Sequence, residues 1–180
     1  MASTGDPLNS STTAPGNDTI KVLCRIRPSR RPSNFFSFPD PGSGLLNFSV
    51  PSDVSREVTN NAGASNVYKF SSILDTNCSQ EDVFNAVAKD AVDGALAGFN
   101  STVFAYGQTG SGKTFTITGG AERYADRGII PRTLQRIFAS VKANKKEKFS
   151  VRISYMEIYN ECAYDLLDES QETRALEELP

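Results

Sequence analysis

Histidine is missing: none occurs among the 180 residues. That excludes Ser-His and Cys-His nucleophilic dyads, in which an imidazole takes the proton. Cysteine is scarce. Cys24, Cys78 and Cys162 stand far apart and have no metal-ligand spacing, so they read as reduced, buried or half-buried thiols of an intracellular protein. No apolar run is long enough to cross a bilayer, which argues against membrane insertion. An excess of either charge is lacking too. The chain has 19 Lys and Arg against 21 Asp and Glu, a net of −2, and is not basic enough to make nucleic acid the default partner. Residues 1–19 have neither the basic start nor the apolar stretch of a signal peptide. They are rich in Ser, Thr, Gly, Pro and Asn, and a disordered leader is expected there. The remaining composition, 38% hydrophobic, suits one domain of ordinary make-up.

What is present is a phosphate-loop pattern. Gly107-Gln108-Thr109-Gly110-Ser111-Gly112-Lys113-Thr114 fits G-x-x-x-x-G-K-[ST]. Each residue type has a physical task there. Glycines take left-handed angles and let the backbone approach a polyphosphate with no Cβ in the way. Successive N–H groups form a concave anion nest, and a following helix adds unpaired N–H groups and a positive dipole end. Lys113 would reach the β- and γ-phosphates, and the Thr114 hydroxyl would hold Mg²⁺. The bland alternative is a flexible Gly-rich connection. Context favours the phosphate loop: Ser101-Thr102-Val103-Phe104-Ala105-Tyr106 before it reads as a buried strand. After it, Phe115-Thr116-Ile117-Thr118 can continue one or two helical turns before Gly119-Gly120 stops them.

Elsewhere, Thr19 to Ile26 alternates as a strand that Pro28 ends. Ser29 to Ser43 reads as irregular, Leu45 to Val50 and Val67 to Phe70 as strands, and Val54 to Asn66 as a turn or hairpin tip. Ser79 with Asp82 three residues on resembles a capping box. Phe84, Val87, Ala88, Ala91, Val92, Ala95, Leu96 and Phe99 follow at helical spacing, which predicts one helix with a core face, ended by Gly98 and Asn100. Gly119 to Gly128 reads as a surface loop. Ile129-Ile130-Pro131 restarts a helix with Leu134, Ile137, Phe138 and Val141 on its apolar face. Phe149, Val151, Ile153 and Tyr155 alternate as a strand, and Asp165-Leu166-Leu167 reads as a short helical turn. Lys142, Lys145, Lys146 and Lys148 read as a solvated loop, with contact to an acidic partner as the alternative. The mixture of strands and helices gives an α/β class in one layered domain.

Four segments in order resemble the kinesin motor domain. They are Phe99 through Thr114; Val22-Leu23-Cys24-Arg25-Ile26-Arg27-Pro28; Gly128-Ile129-Ile130-Pro131-Arg132; and Ser154-Tyr155-Met156-Glu157-Ile158-Tyr159-Asn160-Glu161 with Asp165-Leu166-Leu167. The stretch Glu122 to Arg127 is most similar to a ciliary or flagellar branch of that family. The resemblance implies an α/β, P-loop NTPase fold with a kinesin-motor-like layered sheet and flanking helices, incomplete in this chain. It implies residues 20–169 as the N-terminal part of a motor domain, followed by an acidic, irregular tail at 170–180. It implies an ATPase using ATP and Mg²⁺, microtubules as partner, and a place in the cytoplasm on the cytoskeleton. Carried over by position, Arg25, Arg27 and Pro28 border the adenine and Phe115 lies beside it. Gly107, Gln108, Thr109, Gly110, Ser111, Gly112, Lys113 and Thr114 wrap the phosphates, Lys113 is the catalytic cation, and Thr114 binds the metal. A guanidinium and an aromatic face can both stack on a purine. The plainer readings are core packing for Phe115 and a solvated strand edge for Arg25 and Arg27.

The departure from the family is large. Segments of the Ser-Ser-Arg-Ser-His and Asp-Leu-Ala-Gly types, which the family uses as switches, are not found in these 180 residues. Phosphoryl transfer needs several parts in place together, so weaker phosphate binding and little hydrolysis are expected. The expectation is therefore the nucleotide-binding half of a motor; the alternative is a catalytically silent nucleotide-binding or interaction fragment. A small-molecule kinase would need an arginine-bearing lid, and no such pattern is found.

Overall fold

The computed structural model describes residues 20–40, 42–49, 65–168 and 174–175. The leader, most of the Val54–Asn66 turn and most of the acidic tail lie outside the described residues. The chain divides into two compact units, Met1–Ile137 and Phe138–Pro180.

In the first unit, β1 (Leu23–Arg25) pairs in parallel with β5 (Ser72–Leu74), Cys24 opposite Ile73. The ladder is extended at its ends by Ser71 N–H to Val22 O and Ile26 N–H to Leu74 O, both 2.8 Å. A separate antiparallel sheet runs β2 (Phe36–Ser37), β3 (Leu45–Ser49), β4 (Ser65–Lys69). Its first strand falls in the stretch expected to be irregular. The pairing draws Phe36 opposite Phe48, and Phe35 meets the Phe48 ring edge-on at 6.5 Å, a favourable aromatic geometry.

The expected capping box is present. The Ser79 hydroxyl accepts from Asp82 N–H, and the Asp82 carboxylate accepts from Ser79 N–H. It starts α1 (Gln80–Val87), which abuts α2 (Lys89–Leu96) at Ala88; the sequence had predicted one helix. Gly98 follows α2 at φ 97°, the left-handed position at which helices commonly stop. The core is built on these helices: Val83, Phe84, Ala88 and Val92 pack with Leu74 of β5 and Ile129. Leu96 and Phe99, expected on that face, are exposed instead.

The strand expected at Ser101–Tyr106 does not form. The segment has no ladder partner among the described residues, and only Val103 reaches the core. Phe104 and Tyr106 are exposed. An apolar run becomes a buried strand only where neighbouring backbones pair with it, and no described strand lies beside it. After the loop come α3 (Lys113–Ile117), a 3₁₀ turn at Tyr124–Asp126 and α4 (Ile129–Ala143). Pro131 sits in the first turn of α4, where its missing N–H costs nothing.

In the second unit, Phe149–Tyr155 was expected to be a strand but is exposed and forms no ladder among the described residues, although at its end Tyr155 O accepts from Leu166 N–H at 2.8 Å. The strands start later. β6 (Met156–Tyr159) pairs antiparallel with β7 (Cys162–Asp165), and β7 with β8 (Arg174–Ala175), which falls in the tail expected to be irregular. Asn160 and Glu161 turn the hairpin with φ of 54° and 61°, the positive angles that a two-residue turn demands. Asp165 both ends β7 and opens the expected turn: Asp168 N–H donates to Asp165 O at 3.3 Å, Leu166 and Leu167 lie within the turn, and the Asp165 carboxylate accepts from Leu167 N–H at 2.9 Å.

Candidate functional site

The candidate site lies in the first unit. Gly110 and Gly112 take φ of 79° and 103°, which favour glycine. A Cβ at Gly107 would stand 2.7 Å from Ser111 Oγ. Ser111 N–H donates to Gln108 O at 3.1 Å and tightens the turn. The Lys113 ammonium donates to the carbonyls of Gly107 and Gln108 at 2.8 and 2.9 Å, so the cation sits inside its own loop. Arg27, two residues past β1, donates to Gly110 O from the other side. The first bond of α3 is Thr116 N–H to Gly112 O at 2.9 Å. The N–H groups of Lys113, Thr114 and Phe115 therefore have no intrahelical partner.

Beside the loop is a cavity of about 620 Å³, lined by Arg27, Pro28, Thr109, Gly110, Gly112, Lys113, Thr114 and Phe115. All eight are residues that the sequence had singled out, and they come from segments some 80 residues apart. Gly107, Gln108 and Ser111 belong to the same loop without lining the cavity. Arg25 is not in the lining. Its half-buried guanidinium donates to Gln80 Oε1 at 2.9 Å and to Thr116 Oγ1 at 2.8 Å. Its carbon lies 5.6 Å from the centre of the Phe115 ring. Burial lowers its pKa. Arg25 and Phe115, both expected beside the purine, thus stack on each other, and of these two only Phe115 also faces the cavity.

Gln80 was not foreseen. It is buried, and its amide nitrogen donates to Phe115 O at 2.6 Å and to Asp126 O at 2.9 Å. Its place directly after the helix-capping Ser79 is the one local signal, and that position alone does not mark a residue for burial. The loop from Gly119 to Gly128 is tied down as well. Gly119 bridges to Arg127, and Arg132 donates to the carbonyls of Arg127 (2.9 Å) and Ala125 (3.2 Å). Cys24, Cys78 and Cys162 are free and half-buried, and burial raises the pKa of Cys24. Among the described residues no helix is long and apolar enough to cross a membrane.

The donor set suits an anion of triphosphate type. It combines an ammonium, a guanidinium and helix-start N–H groups with glycines at the closest approach. The Thr114 hydroxyl is a hard oxygen of the kind Mg²⁺ takes.

The family model described as "Kinesin motor domain" matches residues 25–179. The chain is 41% identical over 155 residues to Kinesin-like protein KLP1 of Chlamydomonas reinhardtii, covering 86% of this chain and 20% of that protein. It is 39% identical over 148 residues to Kinesin-like protein KIF9 of Mus musculus, covering 82% and 19%. It is 40% identical over 165 residues to the Kinesin heavy chain of Syncephalastrum racemosum, covering 91% and 17%. The chain thus spans about one fifth of the length of these relatives.

Proposed function

The chain belongs to the kinesin motor-domain family, and from that premise we propose that it binds ATP with Mg²⁺ as the nucleotide-holding part of a microtubule motor. One observation carries the reading: the phosphate loop and the Arg27-Pro28 segment close on one cavity whose lining is cationic, glycine-rich and open to the helix-start amides. Lys113 would exchange its bonds to the Gly107 and Gln108 carbonyls for β- and γ-phosphate oxygens. The loop amides and Arg27 would hold the remaining phosphate charge. The Thr114 hydroxyl would hold Mg²⁺, which supplies neutralisation of charge on the transferred phosphoryl oxygens. Phe115 and Pro28 would take the base, and Arg25 would act on it only through Phe115. The layered sheet of the family, a place on the cytoskeleton, and a ciliary or flagellar branch on the strength of Glu122–Arg127 belong to the same proposal.

Lys113→Ala tests it. Binding of a fluorescent ATP analogue is expected to be abolished while the far-ultraviolet circular dichroism stays as in the parent. Unchanged affinity would overturn the phosphate-loop assignment.

A further inference from the structure

We propose that Gln80 is a positioning residue for the base-binding wall of the cavity, acting through Phe115. The inference rests on the nucleotide-binding reading above. The helix α3 that carries Lys113, Thr114 and Phe115 is five residues long, too short to hold its shape unaided. A helix end leaves its last carbonyls without partners. Gly119 N–H donates to Thr114 O, and Phe115 O is taken by the Gln80 amide at 2.6 Å. The same amide group accepts from Arg25 and donates to Asp126 O. One buried side chain therefore fixes the Phe115 backbone from beneath and holds the Arg25 guanidinium against the Phe115 ring. The phosphate half of the cavity has its own supports: the glycine angles, Ser111 N–H to Gln108 O, and Arg27 to Gly110 O. Gln80 should consequently govern the base-dependent part of affinity and leave the phosphate-dependent part alone.

The experiment measures two ligands, Mg·ATP and Mg·tripolyphosphate, on the full 180-residue chain. The variants are Gln80→Met, which removes all three hydrogen bonds at similar volume, and Gln80→Glu, which keeps the acceptor for Arg25 and loses both donors. For both variants, ATP affinity is expected to fall about tenfold and tripolyphosphate affinity to stay within about twofold of the parent. Because Gln80 acts through Phe115, Gln80→Met combined with Phe115→Ala should lose the base-dependent affinity once and not twice. An equal fall for both ligands would overturn the inference by making Gln80 a general support of the loop, and unchanged ATP affinity or full additivity would also overturn it. Should the Met variant fail to fold, the Glu variant carries the same comparison. Failure of the parent chain to bind either ligand would instead overturn the phosphate-loop reading, and this inference with it.

Discussion

Gly128 is buried against the end of α3, with no room for a methyl group. A Cβ there would lie 2.6 Å from the carbonyl oxygens of both Thr116 and Ile117. Both neighbours are backbone, so neither can rotate away, and Gly128 N–H is already committed to Thr118 O at 3.0 Å. Gly128→Ala is expected to destabilise the fold by about 1–3 kcal/mol, the usual cost of overpacking. It should lower the midpoint of denaturant unfolding and weaken ATP binding together, since the displaced backbone carries Phe115. A midpoint equal to the parent's would show that the helix end moves freely. Arg25 gives the opposite lesson at the same scale. Its charge was legible in the sequence; its direction was not, because the side chain is held by Gln80 and Thr116, 55 and 91 residues away.

Among the elements, α2 and the middle of α4 are joined by one carboxylate. Asp93 accepts from Arg136 through both oxygens and from Lys89 at 3.1 Å on its own helix. The Arg136 hydrogen bonds, and after them the Lys89 bond, hold the Asp93 pKa down from 3.8 to about 2. The folded value lies below the unfolded one, so the stabilisation is present above about pH 4 and is lost as pH falls toward 2. Asp93→Asn should therefore melt at a lower temperature than the parent at pH 6, and the gap should close at pH 2. The Asp93 and Arg136 side chains are both about a third exposed to solvent, so added salt should also narrow the gap. A gap independent of pH would remove the carboxylate's charge from the explanation. The elements that the sequence foretold were those with local signals: the Ser79 cap, the strand at Leu45, the Gly98 stop, and the helix restarting at Ile129. The strands expected at Ser101–Tyr106 and Phe149–Tyr155 carried the right side-chain pattern and did not form, because a ladder needs a second backbone and a residue pattern contains only the first.

For the molecule as a whole, binding and turnover separate. The cavity lining holds no carboxylate, and no segment of either switch type occurs in the 180 residues. Phosphoryl transfer requires the water or acceptor, the metal and the phosphates to be positioned together. The 180-residue chain is therefore expected to bind ATP while its turnover stays at background with and without microtubules. A steady-state phosphate-release assay checks this, and turnover stimulated by microtubules would overturn it.

The order of residues alone determined the loop around Lys113, the cap at Ser79, the helix restart and the family to which the chain belongs. The first three depend on backbone angles, hydrogen bonds or residue identities within a few positions of one another, and the family on four such short segments in order. Tertiary structure alone decided that Arg25 turns from the cavity to Gln80, and that Gln80 is buried. Those outcomes rest on hydrogen bonds and packing between segments far apart in the chain, and such partners exist only once the chain has folded.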